Sequence, residues 1–193
     1  LPVGITDGAK IWELLQHPEN TKYAYLVLRH SAQTLLAPQE YDLKDFTMPV
    51  PEQASGSFAE SIQTLEGVVF ILDGHLEAAK KVFQSLLERT EHSLSETFCQ
   101  LYLLQIALLE DDNEKAEEYA GIRSVKSFLS LKMTDVQVIQ AWYQFKVKKD
   151  MVQTDKAMKI ARHKMNSSRM LRDEKIYYQN WLAELEKALT EGV

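Results

Sequence analysis

The most constraining feature of this 193-residue sequence is the recurrence of apolar side chains at helical spacing along almost its whole length. The alternation of apolar and polar residues that indicates β-strands is nearly absent, and only five prolines and seven glycines interrupt the pattern. Apolar side chains that recur every three to four residues lie on one side of a helix, so a helix can bury all of them together. The sequence therefore predicts an all-α fold, with about nine helices that are mostly paired by short turns.

The prolines and the breaks in the helical pattern predict the organisation of the chain. Residues 1–36 are expected to form an N-terminal helix pair. Residues 37–57 contain three of the five prolines and no helical period, which is typical of a long loop or linker. Residues 58–193 are expected to form one continuous series of helices. The sequence starts without Met or a leader pattern, so we expect a processed product or a portion of a longer protein.

The composition narrows the classes of function. A formal net charge of −6 argues against general attraction to nucleic acid or anionic membranes. The longest apolar run, at 101–109, is interrupted by a glutamine and is far shorter than the ~20 residues of a membrane-spanning helix. The single cysteine, Cys99, cannot form an internal disulfide. We therefore expect no transmembrane segment and a cytoplasmic or otherwise intracellular location.

The sequence contains no recognisable catalytic, cofactor-binding or metal-binding motif. Glycine motifs for phosphate loops, dinucleotides and esterases are absent. No metal-ligand spacing relates the five histidines, which are His17, His30, His75, His92 and His163. Cys99 lies in an apolar helical pattern, which favours a buried structural thiol over a nucleophile. We predict no enzyme activity, no cofactor and no metal, although a helical enzyme whose chemistry escapes sequence motifs stays an alternative.

Residues 65–83, LEGVVFILDGHLEAAKKVF, predict two helices joined at Asp-Gly. Gly67 and Ala79 lie twelve residues apart, Gly74 falls in the turn between them, and Phe70 and Phe83 complete the pattern. This stretch resembles the tetratricopeptide repeat, a helix–turn–helix unit. The resemblance implies that Gly67 packs against Ala79, that the two aromatic rings fill the gaps beside them, and that Gly74 relieves the turn.

Two weaker copies of the pattern follow. They align on Ala116 and Ala157, which lie 37 and 41 residues after the preceding small residue instead of the 34 of the family. Short insertions are therefore required, and residues 122–132 are the expected place for one. In the third copy Ala141 is the expected small partner. The resemblance covers residues 60–162.

The resemblance implies the architecture and the class of function. Tetratricopeptide-like repeats stack as a right-handed α-solenoid of antiparallel helix hairpins, whose last helix must cap the core with a polar outer face. The amphipathic segment after Ser168, with Trp181 and Leu185 on its apolar side, is expected to be this long cap. Proteins of this family are scaffolds or adaptors, so the resemblance implies binding of a peptide or helix of another protein, within a multi-protein complex.

The resemblance also implies where a partner would bind. In the family, the first helix of each hairpin lines the inner groove, and the matching positions here are Thr64, Val68, Leu101, Gln105, Trp142 and Lys146. Trp142 is the leading candidate, because tryptophan is enriched at binding hot spots. The alternative is that Trp142 is a core residue, since aromatic side chains at helical spacing usually are.

The charge distribution offers a second candidate surface. Residues 146–175 include ten basic and four acidic side chains. Their net charge is therefore +6, and the remainder of the chain carries −12. The basic positions assigned to binding are Lys146, Lys149, Lys156, Lys159 and Arg162. They are expected to meet an acidic protein segment, or to serve a regulatory or nucleic-acid-associated module. The alternative is a solvated helix face without a partner.

Overall fold

The computed structural model describes residues 7–51, 54, 56–90 and 93–191, with side chains from Trp12 onward in those ranges. Within these ranges the chain forms ten α-helices and no strand, which confirms the all-α prediction. No helix in the described part of the chain is long and apolar enough to cross a membrane. The chain divides into two compact units, Leu1–Cys99 and Gln100–Val193, whose boundary falls inside one helix.

The first unit has four complete helices and the start of a fifth. They are α1 (Asp7–Gln16), α2 (Thr21–Leu36), α3 (Ser57–Leu72), α4 (Leu76–Arg89) and α5 (Ser93–Leu109). Between α2 and α3, the described residues 37–51, 54 and 56 are mostly irregular but include a 3₁₀ turn, Leu43–Phe46. Both ends of that turn are buried, so this segment contributes to the core of its unit.

Helix α1 is tied to the start of α3 by a carboxylate. The Glu13 side chain accepts hydrogen bonds from the Ser57 hydroxyl at 2.6 Å and from the Phe58 backbone N–H at 3.4 Å. It thereby satisfies donors at a helix start, where negative charge is favoured by the helix dipole. Leu14, the next residue of α1, packs against the core formed by α2 and α3.

Helices α3 and α4 pack together across a turn of three residues and form an antiparallel hairpin. Gly74 adopts a φ of +77° in the turn, where glycine is tolerated without steric cost. A Cβ at Gly67 would lie 2.6 Å from the Phe83 ring. The missing side chain of Gly67 therefore makes room for the Phe83 ring, and Ala79, the expected neighbour of Gly67, is completely buried.

The second unit has the remainder of α5 and five further helices. These are α6 (Asn113–Gly121), α7 (Arg123–Leu129), α8 (Thr134–Tyr143), α9 (Met151–Ser167) and α10 (Arg172–Glu191). Its core contains side chains from all six helices. Helix α7 lies in the segment expected to be an insertion, and it brings the number of helices to ten instead of about nine.

The turns that end α3, α5 and α8 share a backbone conformation. Gly74, Asp111 and Lys149 all have positive φ, at +77°, +59° and +54°, and they are 37 and 38 residues apart in the sequence. In the third turn, a π-helical segment, Gln144–Lys148, follows α8 and accommodates one extra residue.

The buried residues of each second helix also keep a common spacing. Five residues after each positive-φ position lie Ala79, Ala116 and Thr154, all with no exposed surface. The third of these positions was expected at Ala157, which is also buried but lies three residues further on. Helix α9 packs against α8, and Thr154 is one of its buried residues, with its hydroxyl donating to the Asp150 carbonyl at 2.8 Å.

Candidate partner-binding surfaces

Most of the expected groove positions are buried. The exposed fractions of Val68, Leu101, Gln105 and Trp142 are 4%, 1%, 0% and 6%. Thr64 is half-buried, and its hydroxyl donates to the Glu60 carbonyl one turn earlier on the same helix. In this structure the four buried side chains offer no surface to a partner, which corrects the expectation that they line a groove.

Trp142 is enclosed by side chains of the second unit. Its ring stacks on Trp181 of α10, with ring centroids 5.7 Å apart, and meets the edge of Phe145 at 6.1 Å. The indole Nε1 donates a hydrogen bond to the Trp181 carbonyl at 3.1 Å. The ring of Trp142 and its single hydrogen-bond donor thus have partners within the chain. Trp142 belongs to the core and is no longer a candidate binding residue.

The Lys146 side chain binds groups of its own chain. Its ammonium group donates to the Leu108 carbonyl at 2.7 Å and to the Asp111 carboxylate at 2.6 Å, and it lies 4.7 Å from the centre of the Trp142 ring. The last carbonyls of a helix lack intrahelical donors, and a cation there is favoured by the helix dipole. Lys146 therefore closes the C-terminal end of α5, and this corrects its expected role toward an acidic partner.

The remaining basic positions are partly neutralised within the second unit. Lys159 pairs with Asp155 at 2.6 Å, and Arg162 donates to Glu186 of α10 through its Nε at 2.9 Å. Lys149 and Lys156 are exposed and have no carboxylate within 4.0 Å among the described residues. The basic surface thus extends from Lys149 onto α9, but with fewer available charges than the sequence suggests.

The outward face of α2 is apolar and exposed. Tyr25, Leu28 and Leu35 are 62%, 66% and 59% exposed, and Leu36 is 80% exposed. Ala32 lies between them, so that positions 25, 28, 32 and 35 follow a 3-4-3 spacing along one side of the helix. We call these five residues, Tyr25, Leu28, Ala32, Leu35 and Leu36, the α2 stripe.

The opposite side of α2 packs into the first unit. Tyr23, Ala24 and Val27 are at most 7% exposed and share a core with Phe58 and Ile62 of α3. A surface helix normally places polar residues opposite such a core face. Helix α2 instead has apolar residues on both sides, and the described part of the chain leaves the outer side uncovered.

One edge of the α2 stripe is basic. Lys22 and Arg29, seven residues apart, are the charged side chains of α2, which contains no acidic residue. Seven residues are two helical turns, so both side chains project along the same edge. Lys22 is exposed, and Arg29 is half-buried with its guanidinium 5.3 Å from the centre of the Phe46 ring. The α2 stripe was not predicted, although its spacing is readable in the sequence.

The core of the second unit contains a buried glutamine, Gln105. Gln105 of α5 has no exposed surface and accepts a hydrogen bond from the Tyr178 hydroxyl of α10 at 3.3 Å.

At the first turn of α10, the Glu174 carboxylate accepts a hydrogen bond from the Leu171 N–H at 3.1 Å. Burial raises the pKa of Glu174 to about 7, and the charges of Asp135 and Asp173 add to the effect.

This shift predicts a pH dependence of stability. Because the folded pKa of about 7 lies above the ordinary 4.5, protonated Glu174 contributes stability that is complete below pH 4.5 and is lost as the pH rises through 7. Relative to wild type, Glu174→Gln is expected to become more stable by on the order of 3 kcal/mol between pH 4.5 and 8. Urea unfolding at several pH values measures the difference, with Glu184→Gln, an exposed carboxylate of α10, as control. Parallel pH profiles for wild type and Glu174→Gln would contradict the assignment.

Burial perturbs the titration of two side chains of the first unit, Cys99 and His30. Burial raises the pKa of the Cys99 thiol to about 12, with the charges of Glu60 and Glu96 as further causes, which confirms a buried thiol. Burial lowers the pKa of His30 to about 4, and its ring packs edge-on to Phe46 at 5.3 Å. Among the described residues, which exclude His92, no group of His, Cys, Asp or Glu is arranged to hold a metal ion.

No protein-family model matches the sequence, and searches of curated proteins and of solved structures found no match.

Proposed function

We propose that the protein is a non-enzymatic scaffold or adaptor that binds a peptide or helix of another protein, within a multi-protein complex, and that the α2 stripe is its docking surface. The observation that carries the proposal is the uncovered apolar side of α2, with four large side chains that are 59–80% exposed. Contiguous exposed apolar surfaces of this kind mark interaction sites in soluble proteins. This surface replaces the inner groove that the family resemblance implied.

The repeated backbone pattern supports the scaffold class. Three positive-φ turns at intervals of 37 and 38 residues, each followed by a buried small or short side chain, fit the near-regular period of a helical-repeat protein. We include in the proposal that the hairpins are tetratricopeptide-like and stack in a right-handed sense. Repeat proteins of this type present extended surfaces and bind partners without catalytic groups.

Burial of the α2 stripe would make a substantial apolar contribution to binding. Complete burial of one leucine side chain contributes about 1.5–3 kcal/mol. Covering Leu28, Leu35 and Leu36, which are 59–80% exposed, therefore contributes on the order of 3–6 kcal/mol before the entropic cost of association. Tyr25 adds an aromatic ring of a type enriched at hot spots.

A second candidate function uses the basic surface of α9. Exposed Lys149 and Lys156, which lack a nearby carboxylate among the described residues, favour a regulatory or nucleic-acid-associated module. Binding through these charges would weaken steeply between about 50 and 200 mM salt, whereas apolar docking on α2 would not. Internal neutralisation of Lys146, Lys159 and Arg162 makes this the weaker candidate.

The proposed function predicts the effect of one surface substitution. Leu28→Glu places a charge at the centre of the α2 stripe, and it preserves the helix because the side chain is 66% exposed and glutamate is a good helix former. We expect affinity capture from the native cell with the wild-type chain to recover a specific partner whose yield falls at least about tenfold with Leu28→Glu. Quantitative mass spectrometry of the captured proteins measures the change.

The matched control for this capture is Ile176→Glu. Ile176 is an apolar residue of α10 in the second unit, 51% exposed, so the substitution adds the same charge at a comparably exposed site outside the α2 stripe. The thermal midpoints of both variants should stay close to that of wild type. A partner retained equally by all three chains would remove α2 as the docking surface, and a partner lost only with Lys149→Glu and Lys156→Glu would favour the basic surface.

A further inference from the structure

The proposed docking surface has a specific electrostatic character. The α2 stripe is bordered on one edge by Lys22 and Arg29, and α2 has no acidic residue to neutralise them. The Lys22 ammonium lies 4.8 Å from the centre of the Tyr23 ring, and the Arg29 guanidinium lies 5.3 Å from that of Phe46. Both contacts are with aromatic faces, which attract cations but leave their hydrogen-bond donors available for a carboxylate.

Resting on the proposed function, we propose that the partner of α2 is an amphipathic helix with apolar residues at alternating spacings of three and four and with acidic residues one heptad apart along one edge. The apolar residues pack on Tyr25, Leu28, Ala32 and Leu35, whose own spacing is 3-4-3. The acidic residues meet Lys22 and Arg29, whose separation of seven matches one heptad. This is recognition of a helix on a helical surface, with charge setting orientation and register.

A second copy of this chain satisfies only half of these requirements. Two α2 helices could bring their apolar stripes together, but each would present Lys22 and Arg29 and no carboxylate of α2 to the other. A self-pair through α2 therefore gains no ion pair between the two α2 helices, whereas an acidic helix gains two. Charge complementarity accordingly favours a different protein over self-association.

Two designed peptides test this inference on the full chain. Both carry three heptads with leucine at the 3-4 positions, and they differ only in having glutamate or lysine at the positions that flank the leucines. The chain has a net charge of −6, so long-range attraction favours the lysine peptide, and a preference for the glutamate peptide would report local contacts on α2. Fluorescence anisotropy with labelled peptides measures both affinities.

We expect the glutamate peptide to bind about tenfold more tightly than the lysine peptide at low salt, because two flanking pairs change from attraction to repulsion. Lys22→Glu should reduce or reverse this preference, and Leu28→Glu should abolish binding of both peptides. Ile176→Glu, outside the α2 stripe, should leave both affinities unchanged. Circular dichroism of each variant confirms that the helices remain folded.

Three outcomes would overturn the inference. Equal binding of both peptides, or tighter binding of the lysine peptide, would exclude recognition of an acidic edge. No binding of either peptide up to about 1 mM would exclude a simple amphipathic helix as the occupant. Concentration-dependent dimerisation that Leu28→Glu abolishes would identify a second copy as the occupant. In each case a captured partner that depends on Leu28 would still support the scaffold function, so the failures of the two proposals are distinguishable.

Discussion

Trp142→Ala is expected to lower the free energy of unfolding by about 3–5 kcal/mol, the usual effect of removing a buried aromatic side chain. The indole is 6% exposed, stacks on Trp181 and donates to the Trp181 carbonyl. Its removal leaves a cavity between α8 and α10 and deletes the side-chain hydrogen bond that joins the two helices. Thermal and urea unfolding, followed by far-ultraviolet circular dichroism, measure the loss.

A conservative variant separates packing from the hydrogen bond. Trp142→Phe keeps an aromatic ring but removes the Nε1 donor, and it should cost distinctly less than alanine at this position. Partner capture by Trp142→Phe should match wild type, because Trp142 does not lie on the docking surface. A nearly unchanged thermal midpoint for Trp142→Ala, together with a loss of partner, would restore Trp142 to the binding site.

Gly67→Leu is expected to destabilise the first unit by about 1–3 kcal/mol through overpacking. A Cβ at Gly67 would lie 2.6 Å from the Phe83 ring, so the ring must move and the α3–α4 hairpin must open locally. Even Gly67→Ala should be destabilising, although alanine normally gains up to ~1 kcal/mol over glycine within a helix. Chemical unfolding measures both variants.

Gly121 supplies the matched comparison. It ends helix α6, and nothing lies within 4 Å of the Cβ that Gly121→Ala would add. This change should therefore be neutral or stabilising. If Gly67→Ala behaved like Gly121→Ala, the close approach of Phe83 to α3 would be refuted. Gly67→Ala should cost less stability in a chain that already carries Phe83→Leu than in wild type, since the smaller side chain leaves space for the added Cβ.

The helical class and most helices were predictable because apolar periodicity and a few turn residues determine them. Gly74 was predicted in a turn and has positive φ. The same conformation at Asp111 and Lys149 is less readable, because non-glycine residues adopt positive φ only when the surrounding structure requires it. Helix α7 was missed since seven residues give too short a periodic signal.

The expected binding residues show where sequence reasoning fails. Positions transferred from a repeat pattern identify one side of a helix, but they do not reveal whether other helices cover that side. Val68, Leu101 and Gln105 were assigned to a groove and are at most 4% exposed. Gln105, for example, is buried beside Tyr178 of α10, 73 residues later in the chain, and periodicity alone does not place such a helix.

The α2 stripe was missed for the opposite reason. Its 3-4-3 spacing of Tyr25, Leu28, Ala32 and Leu35 is visible in the sequence, but Tyr23 and Val27 are apolar as well. A helix with apolar residues on two sides is expected to be central and covered on both. Only the structure shows which side packs on α3 and which side remains exposed.

The central claim is that a partner contacts the outward face of α2. Amide hydrogen exchange of the full chain, with and without the captured partner, tests it most directly. We predict slower exchange in the complex for peptides that cover residues 21–36, with no change for those that cover residues 151–167 of α9. Slower exchange confined to α9, with α2 unchanged, would contradict the account and assign binding to the basic surface.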